Sequence, residues 1–379
     1  MGCYVITCDY IPDNFAHRYA DEYCNVSIVD KDAVLSLAER MNIDGIMSFA
    51  CDPGVITAAY VAEKLNLPTC GPYESVCVLQ NKSKFRKFLT DHGFRVPNAK
   101  GYVRIEDALR ETDLFQWPVF VKPADSAGSK GVSRVETPDN LKNCIEKALC
   151  FSSSKEFIIE DFLESRYHPS DSECFSVDGK LRFVSFSAQR FDISCENPYA
   201  PTAFSWSPTI SEKNQKELER ELQRLLNLLN MGTSIYNVET RESVDGKAYI
   251  MECSPRGGGN RLAEMIRYRF GIDLISNAVR FAIGMPVNDL GQKLNMGHWA
   301  EIILHSDKSG TFKDVYVRDM IQDNVVEKDI WIKRGERVEC FSGANKAIGT
   351  LVLKFETEEK MNDVLDHQSQ YIQILTEEN

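Results

Sequence analysis

The chain has 379 residues, 43% hydrophobic and 26% charged, so it can bury a sizeable core divided over two or three packed units. A formal net charge of -12 argues against nucleic acid or an anionic membrane as the main partner, because both reward a basic surface. Twelve cysteines scattered from Cys3 to Cys340, with no C-x-x-C pair and no zinc-ligand spacing, read as the reduced thiols of a cytoplasmic protein.

The first residues, MGCYVITCDYIP, lack the charged start and cleavage site of a signal peptide, and Ile6 stands where a myristoylation motif at Gly2 needs Ser or Thr. No apolar run reaches the length of a membrane span. Short apolar runs then alternate with helix-period segments, the pattern of a parallel βαβ unit. A strand is predicted from Tyr4 to Thr7, then a helix with Val34, Leu37, Ala38 and Met41 on one face. A second strand is expected around Gly45 to Ala50, and a second helix carries Val55, Ala59, Ala62 and Leu65.

A new region begins near residue 77, with a short helix carrying Phe85, Phe88 and Leu89 that Gly93 closes. Pro118 to Lys122 reads as a strand leading into the Gly/Ser-rich segment VKPADSAGSKGV. The polar stretches Ser165 to Ser172 and Cys195 to Pro208 read as loops. Thr209 and Glu212 have capping-box spacing ahead of an amphipathic helix with Leu218, Leu222, Leu225 and Leu229. A helix pair follows from about Asn260 to Ile283, and the tail from Gly297 is richer in strands, with a final helix near Glu358.

The most informative local feature is the hairpin YNVETRESVDGKAYIMECSP, where Asp245-Gly246 is a favoured two-residue type I′ turn. In that register Glu239 lies opposite Glu252 and Asn237 opposite Ser254, all on one face. Two carboxylates with Cβ atoms roughly 5 Å apart repel unless a cation or a proton sits between them, and oxygen ligands at that spacing suit Mg²⁺. An exposed hairpin with both glutamates facing water is the other reading of the same residues. Pro255-Arg256-Gly257-Gly258-Gly259-Asn260 comes directly after Ser254, and its glycines let backbone N–H groups approach an anion while Arg256 offers a fork matched to phosphate or carboxylate.

Ser126-Ala127-Gly128-Ser129-Lys130-Gly131 follows a buried strand as a flexible loop suited to covering a triphosphate, though it is not a Walker loop. Lys122, at the end of that apolar strand, needs an anionic partner if buried. Lys82 sits at a helix start, where a surface lysine is the ordinary reading. The segment Phe157 to Leu163 is a strand running into a charged turn. The six histidines fit neither a zinc pair nor a catalytic triad.

Taken in order, these segments resemble the ATP-grasp superfamily, and most closely its carboxylate-amine ligases, a group near the carbamoyl phosphate synthetase large subunit and biotin carboxylase. The resemblance implies an α/β (α+β) fold in three parts: an N-terminal parallel βαβ domain over 1–76, an ATP-grasp domain over 77–290, and a β-rich region over 291–379. It implies ATP and Mg²⁺ as cofactors, with Mn²⁺ as an alternative ion, small carboxylate and amine substrates, and a homodimer. Activation proceeds through an acyl phosphate, and carboxylation through carboxyphosphate or nucleotide binding without catalysis are the competing expectations.

Position by position, the resemblance puts Lys82 and Lys122 on the phosphates, with Ser126, Gly128, Ser129, Lys130, Gly131 and Val132 covering them. Glu160, Phe162 and Leu163 frame the adenine, and Glu173 meets the ribose. Glu239 and Glu252 hold the metal, with Ser254 where the family has Asn and with Asn237 compensating for it. Arg256 is the catalytic cation, and with Gly258, Gly259 and Asn260 it forms the substrate side. Chains of this type start with a strand, a glycine turn and a helix ahead of the segment matching Tyr4 to Asp9. Since that unit is missing here, the expectation is a truncated start or the loss of part of the substrate wall.

Overall fold

Two parallel strands, β1 (Ile6–Asp9) and β2 (Glu22–Asn25), open the chain; the parallel pairing is as expected, but its second strand lies ahead of the first α-helix, where none was predicted. The computed structural model describes residues 1–291 and 297–377. Helix α1 (Lys31–Met41) starts where the Asp30 carboxylate accepts the Ala33 N–H at 3.1 Å, and it stops at Asn42, whose φ of 46° is left-handed. Helix α2 (Asp52–Leu65) follows, with a proline in its first turn, and then α3 (Tyr73–Gln80) and α4 (Lys82–Asp91). The strand expected around Gly45 to Ala50 does not form. That segment runs as irregular chain, so close to Ala282 that a Cβ on Gly45 would lie 1.9 Å from its carbonyl oxygen.

Strands β3 (Ala99–Tyr102), β4 (Val119–Pro123), β5 (Ser133–Val135) and β6 (Phe157–Asp161) form one antiparallel sheet in the order β3-β6-β4-β5. It is backed by α5 (Ile105–Arg110) and α6 (Leu141–Cys150) around a core of Val119, Val121, Leu141, Ile145, Phe157 and Ile159.

The chain then makes β7 (Ser170–Val177), β8 (Lys180–Val184), β9 (Ala188–Phe191) and β10 (Pro201–Trp206). Helix α7 (Glu212–Leu228) and the hairpin β11 (Ser234–Glu242) and β12 (Ala248–Ser254) come next. Two segments read as loops are therefore strands in part: β7 begins at Ser170, and β10 is buried along most of its length. In β7 the polar composition misled because Asp171 and Glu173 face the site described below. The capping box also fails, since the Thr209 hydroxyl donates to the His168 carbonyl oxygen at 2.8 Å and Ser211 stands at the cap.

The sheet β12-β11-β7-β8 carries that site. One face is apolar, with Cys174, Tyr236, Val238, Ile250 and Cys253 packed on Leu218, Leu222, Leu225 and Leu226 of α7. Strand alternation then sends Asp171, Glu173, Asn237, Glu239, Glu252 and Ser254 to the opposite face. Helices α8 (Leu262–Phe270) and α9 (Leu274–Ala282) close this part.

Beyond it lie β13 (His298–Leu304), β14 (Gly310–Val317), α10 (Asp319–Gln322), β15 (Val325–Ile330) and β16 (Arg337–Val338). The chain ends with β17 (Gly349–Phe355), α11 (Glu358–Asp366), α12 (Gln368–Tyr371) and β18 (Ile372–Glu377). A five-stranded sheet, β15-β17-β13-β10-β9, joins strands from both sides of residue 290, and a smaller one runs β16-β14-β18. Among the described residues no helix is long and apolar enough to cross a membrane.

Candidate active site

The hairpin places Glu239 opposite Glu252 and Asn237 opposite Ser254, as the register arithmetic requires, but by a different route. Gly246 N–H donates to the Ser243 carbonyl at 2.8 Å and Ser243 N–H to the Lys247 carbonyl at 2.9 Å. Gly246 is left-handed at φ 76° while Asp245 is not, so the connection is a turn centred on Val244-Asp245 followed by a glycine bulge, and not type I′. That shifts the lower hairpin by one residue, and a bulge at Met251 between Glu239 and Thr240 shifts it back. The Met251 carbonyl accepts from Arg86 Nη1 at 2.7 Å, so the bulge's polar group is satisfied by a buried guanidinium.

Strand β7 extends both rows, with Asp171 opposite Glu239 and Glu173 opposite Asn237. Four carboxylates therefore share one sheet face, and the sequence reading missed Asp171 altogether. Burial, together with the neighbouring Glu239 charge, pushes the Asp171 carboxyl up to about 7. Burial likewise pushes Glu173 up to about 8, although it accepts the Gly258 N–H at 2.7 Å and lies near Arg256. The second Glu173 oxygen is buried with no partner. Carboxylate oxygens gathered on one face in this way fit a divalent hard cation.

Basic side chains now neutralise the outer carboxylates. Lys82 Nζ lies 3.1 Å from Glu252 and donates to the Ser126 carbonyl at 2.9 Å, which ties the metal-type carboxylate to the glycine loop. Burial pushes the Glu252 carboxyl up, but Lys82, Lys122 and Arg86 outweigh it and hold the group below the usual range. Arg241 pairs with Glu239 at 2.9 Å. Lys82 is thus largely buried and paired, unlike an ordinary surface lysine.

Lys122 has the anionic partner its burial demands, Glu160 at 2.8 Å, and the other Glu160 oxygen takes Arg86 Nε at 2.5 Å. Burial opposes the Glu160 charge, yet the two cations hold its carboxyl well below the usual range. The Glu160 carboxylate is therefore a buried counter-ion and not a group free to frame a base. Phe162 packs on Phe120 and under Arg134, whose guanidinium carbon sits 4.4 Å from the ring centroid, and Leu163 beside it is half-buried.

The glycine loop runs left-handed at Gly128, Ser129 and Gly131, with Lys130 exposed and Val132 half-buried. Ser129 Oγ donates to the Tyr199 carbonyl at 3.0 Å. A Cβ on Gly131 would lie 2.8 Å from the Phe151 ring, so glycine is required there on two counts.

Arg256 differs most from expectation. Its Nε and Nη2 grip Asp52 at 2.8 and 2.7 Å, and Nη1 donates to Asn237 Oδ1 at 3.1 Å. Burial disfavours the Arg256 charge, but Asp52 overcomes this and raises its pKa. Asn237 in turn donates to Asp171 at 2.6 Å. The Ser254 hydroxyl donates to Asp52 at 2.9 Å and accepts from Gln80 at 2.5 Å, so it serves the contact with the first helices and is not free for a metal. One Glu173 oxygen takes the Gly258 N–H, and the other is buried beside it without a partner. The Gly258 N–H therefore meets a carboxyl group of the chain itself. Gly259 is open, since a Cβ there would meet nothing within 4 Å, and Asn260 is left-handed at φ 52°.

Residues 115–264 match the ATP-grasp domain, and the chain carries that domain. A carbamoyl phosphate synthase large chain of Thermotoga neapolitana is 25% identical over 218 residues, 58% of this chain and 19% of its own length. This chain thus spans about a fifth of that relative. A formate-dependent phosphoribosylglycinamide formyltransferase of Synechococcus sp. strain WH7803 is 24% identical over 294 residues, covering 76% of this chain and 72% of the relative. The crystal structure of an L-amino acid ligase from Bacillus licheniformis superposes with a TM-score of 0.81 at 18% identity, over 99% of this chain and 93% of that one. The mixed helix and strand architecture is accordingly an ATP-grasp fold.

Proposed function

We propose that the protein is an ATP-dependent ligase that activates a small carboxylate as an acyl phosphate for attack by an amine. The observation that carries this reading is the row Glu252, Glu239 and Asp171 on one sheet face, with Lys82 and Arg256 bonded into the same network. Glu239 and Glu252 are the residues that would hold Mg²⁺, or Mn²⁺ in its place. When bound, the ion supplies Lewis-acid neutralisation of phosphate charge.

This chain's own groups do the rest. Lys82 and Lys122 bring positive charge to the phosphates, the loop from Ser126 to Val132 covers them and excludes water, and Phe162 and Leu163 provide an apolar edge for the base. Arg256, oriented by Asp52 and Asn237, is assigned to the oxygens of the transferred phosphoryl group. The substrate carboxylate attacks the γ-phosphorus, ADP leaves, and the amine then displaces phosphate from the activated carbonyl. We divide the chain at about 1–76, 77–290 and 291–379 on local apolar clusters around Val34 and Val61, Ile145 and Ile159, and Leu351 and Val364, although shared cores cross both bounds, Val55 packing with Leu222 and Phe204 with Trp299.

The test is ADP release with Mg²⁺ and ATP across a panel of amino acids, other small carboxylates and bicarbonate, with and without amines, using Glu252→Ala as the blank. Release that needs one acid and vanishes in the variant is expected. Release that responds to bicarbonate alone would move the reading to carboxylation, and ATP binding with no release under any condition would overturn it in favour of a binding protein.

A further inference from the structure

We infer that Asp192, Cys195 and His305 hold a divalent transition-metal ion, zinc by ligand chemistry, at a second site outside the carboxylate face of the nucleotide sheet. One ligand atom from each of the three lies within 4.8 Å of the others, a spacing that a single ion can bridge. The three come from far apart in the chain. Asp192 and Cys195 lie in the turn after β9, closed by Cys195 N–H on the Asp192 carbonyl at 3.3 Å, and His305 follows directly on β13.

The histidine's hydrogen bonding gives the argument its direction. His305 Nδ1 lies 2.7 Å from the Ile303 carbonyl oxygen, which can only accept, so Nδ1 carries the proton. In its neutral form the ring then presents its Nε2 lone pair to Asp192 Oδ2 at 3.3 Å. A lone pair facing a carboxylate is repulsive unless a cation stands there, and the alternatives are a second ring proton or a metal ion. A backbone carbonyl orienting one imidazole nitrogen while the other meets the ion is the usual support of a metal-bound histidine. The Phe341 ring, with its centroid 4.7 Å from that of His305, holds the imidazole plane in place.

The aspartate is similarly prepared. Its Oδ1 is occupied by Ser194 N–H at 2.8 Å and the Ser194 hydroxyl at 2.6 Å, which leaves Oδ2 turned to the cluster. Cys195 is buried while Asp192 is half-exposed, so the sulfur is shielded from solvent and the carboxylate is within its reach. One sulfur, one imidazole nitrogen and one carboxylate oxygen form a borderline-soft set that selects zinc or cobalt over magnesium, with solvent completing the coordination. An ion here would staple the turn at Asp192 to the end of β13. The same loop reaches Tyr199, whose carbonyl oxygen receives the Ser129 hydroxyl of the glycine loop.

The experiment is a Co²⁺ titration of the full chain, first stripped with chelator and then held in excess Mg²⁺ so that all-oxygen sites are filled. One equivalent should bind and give the near-ultraviolet charge-transfer band of a thiolate ligand, which the Glu239 and Glu252 face has no sulfur to produce. The band should be absent in Cys195→Ser. Asp192→Asn, a half-exposed change that keeps the side-chain shape, should fold normally by circular dichroism and weaken Co²⁺ binding more than about tenfold, the loss caused by removing even a hydrogen-bond partner of a ligand. Wild-type protein with no thiolate band in excess Co²⁺, or a band that persists in Cys195→Ser, would overturn the proposal. Neither result depends on whether the chain is a ligase.

Discussion

Arg256 closes a two-pronged ion pair on Asp52, at 2.8 and 2.7 Å, from a position 204 residues further along the chain. The pair joins the first turn of α2 to the loop that follows β12, so the arginine proposed for phosphoryl chemistry is positioned by a helix near the start of the chain. Burial works against the Asp52 charge, and Arg256 and Ser254 together hold its carboxyl below the usual range.

Asp52→Asn should therefore lower stability by about 3 kcal/mol, because it leaves a largely buried guanidinium without its counter-charge. Arg256→Met should cost less stability yet remove ADP formation. Urea midpoints of the two variants and of the double variant give the coupling, and additive losses would show that the pair is not a unit.

Arg86 serves two acceptors, Glu160 and the Met251 carbonyl at the bulge. Arg86→Lys is expected to destabilise by about 3 kcal/mol, since an ammonium lacks the fork that reaches both. Because the bulge sets the Glu239 to Glu252 register, this variant should also weaken Mg²⁺-dependent nucleotide binding. A normal thermal midpoint would refute the assignment.

Glu239→Gln and Glu252→Gln should each reduce ADP formation by about 10²- to 10³-fold, the scale of losing one electrostatic contact to the reacting phosphate. Steady-state kinetics at saturating Mg²⁺ is the measurement. Activity within a few-fold of wild type would place the metal elsewhere.

The ligand-free protein should lose stability as pH rises. Asp171 and Glu173 have carboxyls raised to about 7 and about 8, so between their ordinary values and these the folded state binds more protons than the unfolded one. Their stabilising contribution is complete in acid and is lost through about pH 7 to 8. Thermal midpoints taken across that window should fall, Asp171→Asn with Glu173→Gln should flatten the fall, and saturating Mg²⁺ should oppose it. A midpoint that rises over the same window would contradict the burial argument.

Strand alternation and glycine content act between near neighbours, and for that reason the carboxylate pair, the glycine loop and a parallel strand opening were legible in the sequence, whereas the strand expected at Gly45 to Ala50 and the cap expected at Thr209 were not formed. Even for the carboxylate pair the hairpin register came out right only because the turn is longer by one residue and the Met251 bulge restores the count. What the tertiary structure alone decided is which charge meets which. Glu160 is the anion that Lys122 needed, Asp171 and Glu173 are the third strand's additions to the face, Asp52 holds Arg256, and His305 meets Asp192. Partners of this kind lie tens to hundreds of residues apart, and their pairing is set by sheet order and burial, which no local spacing encodes.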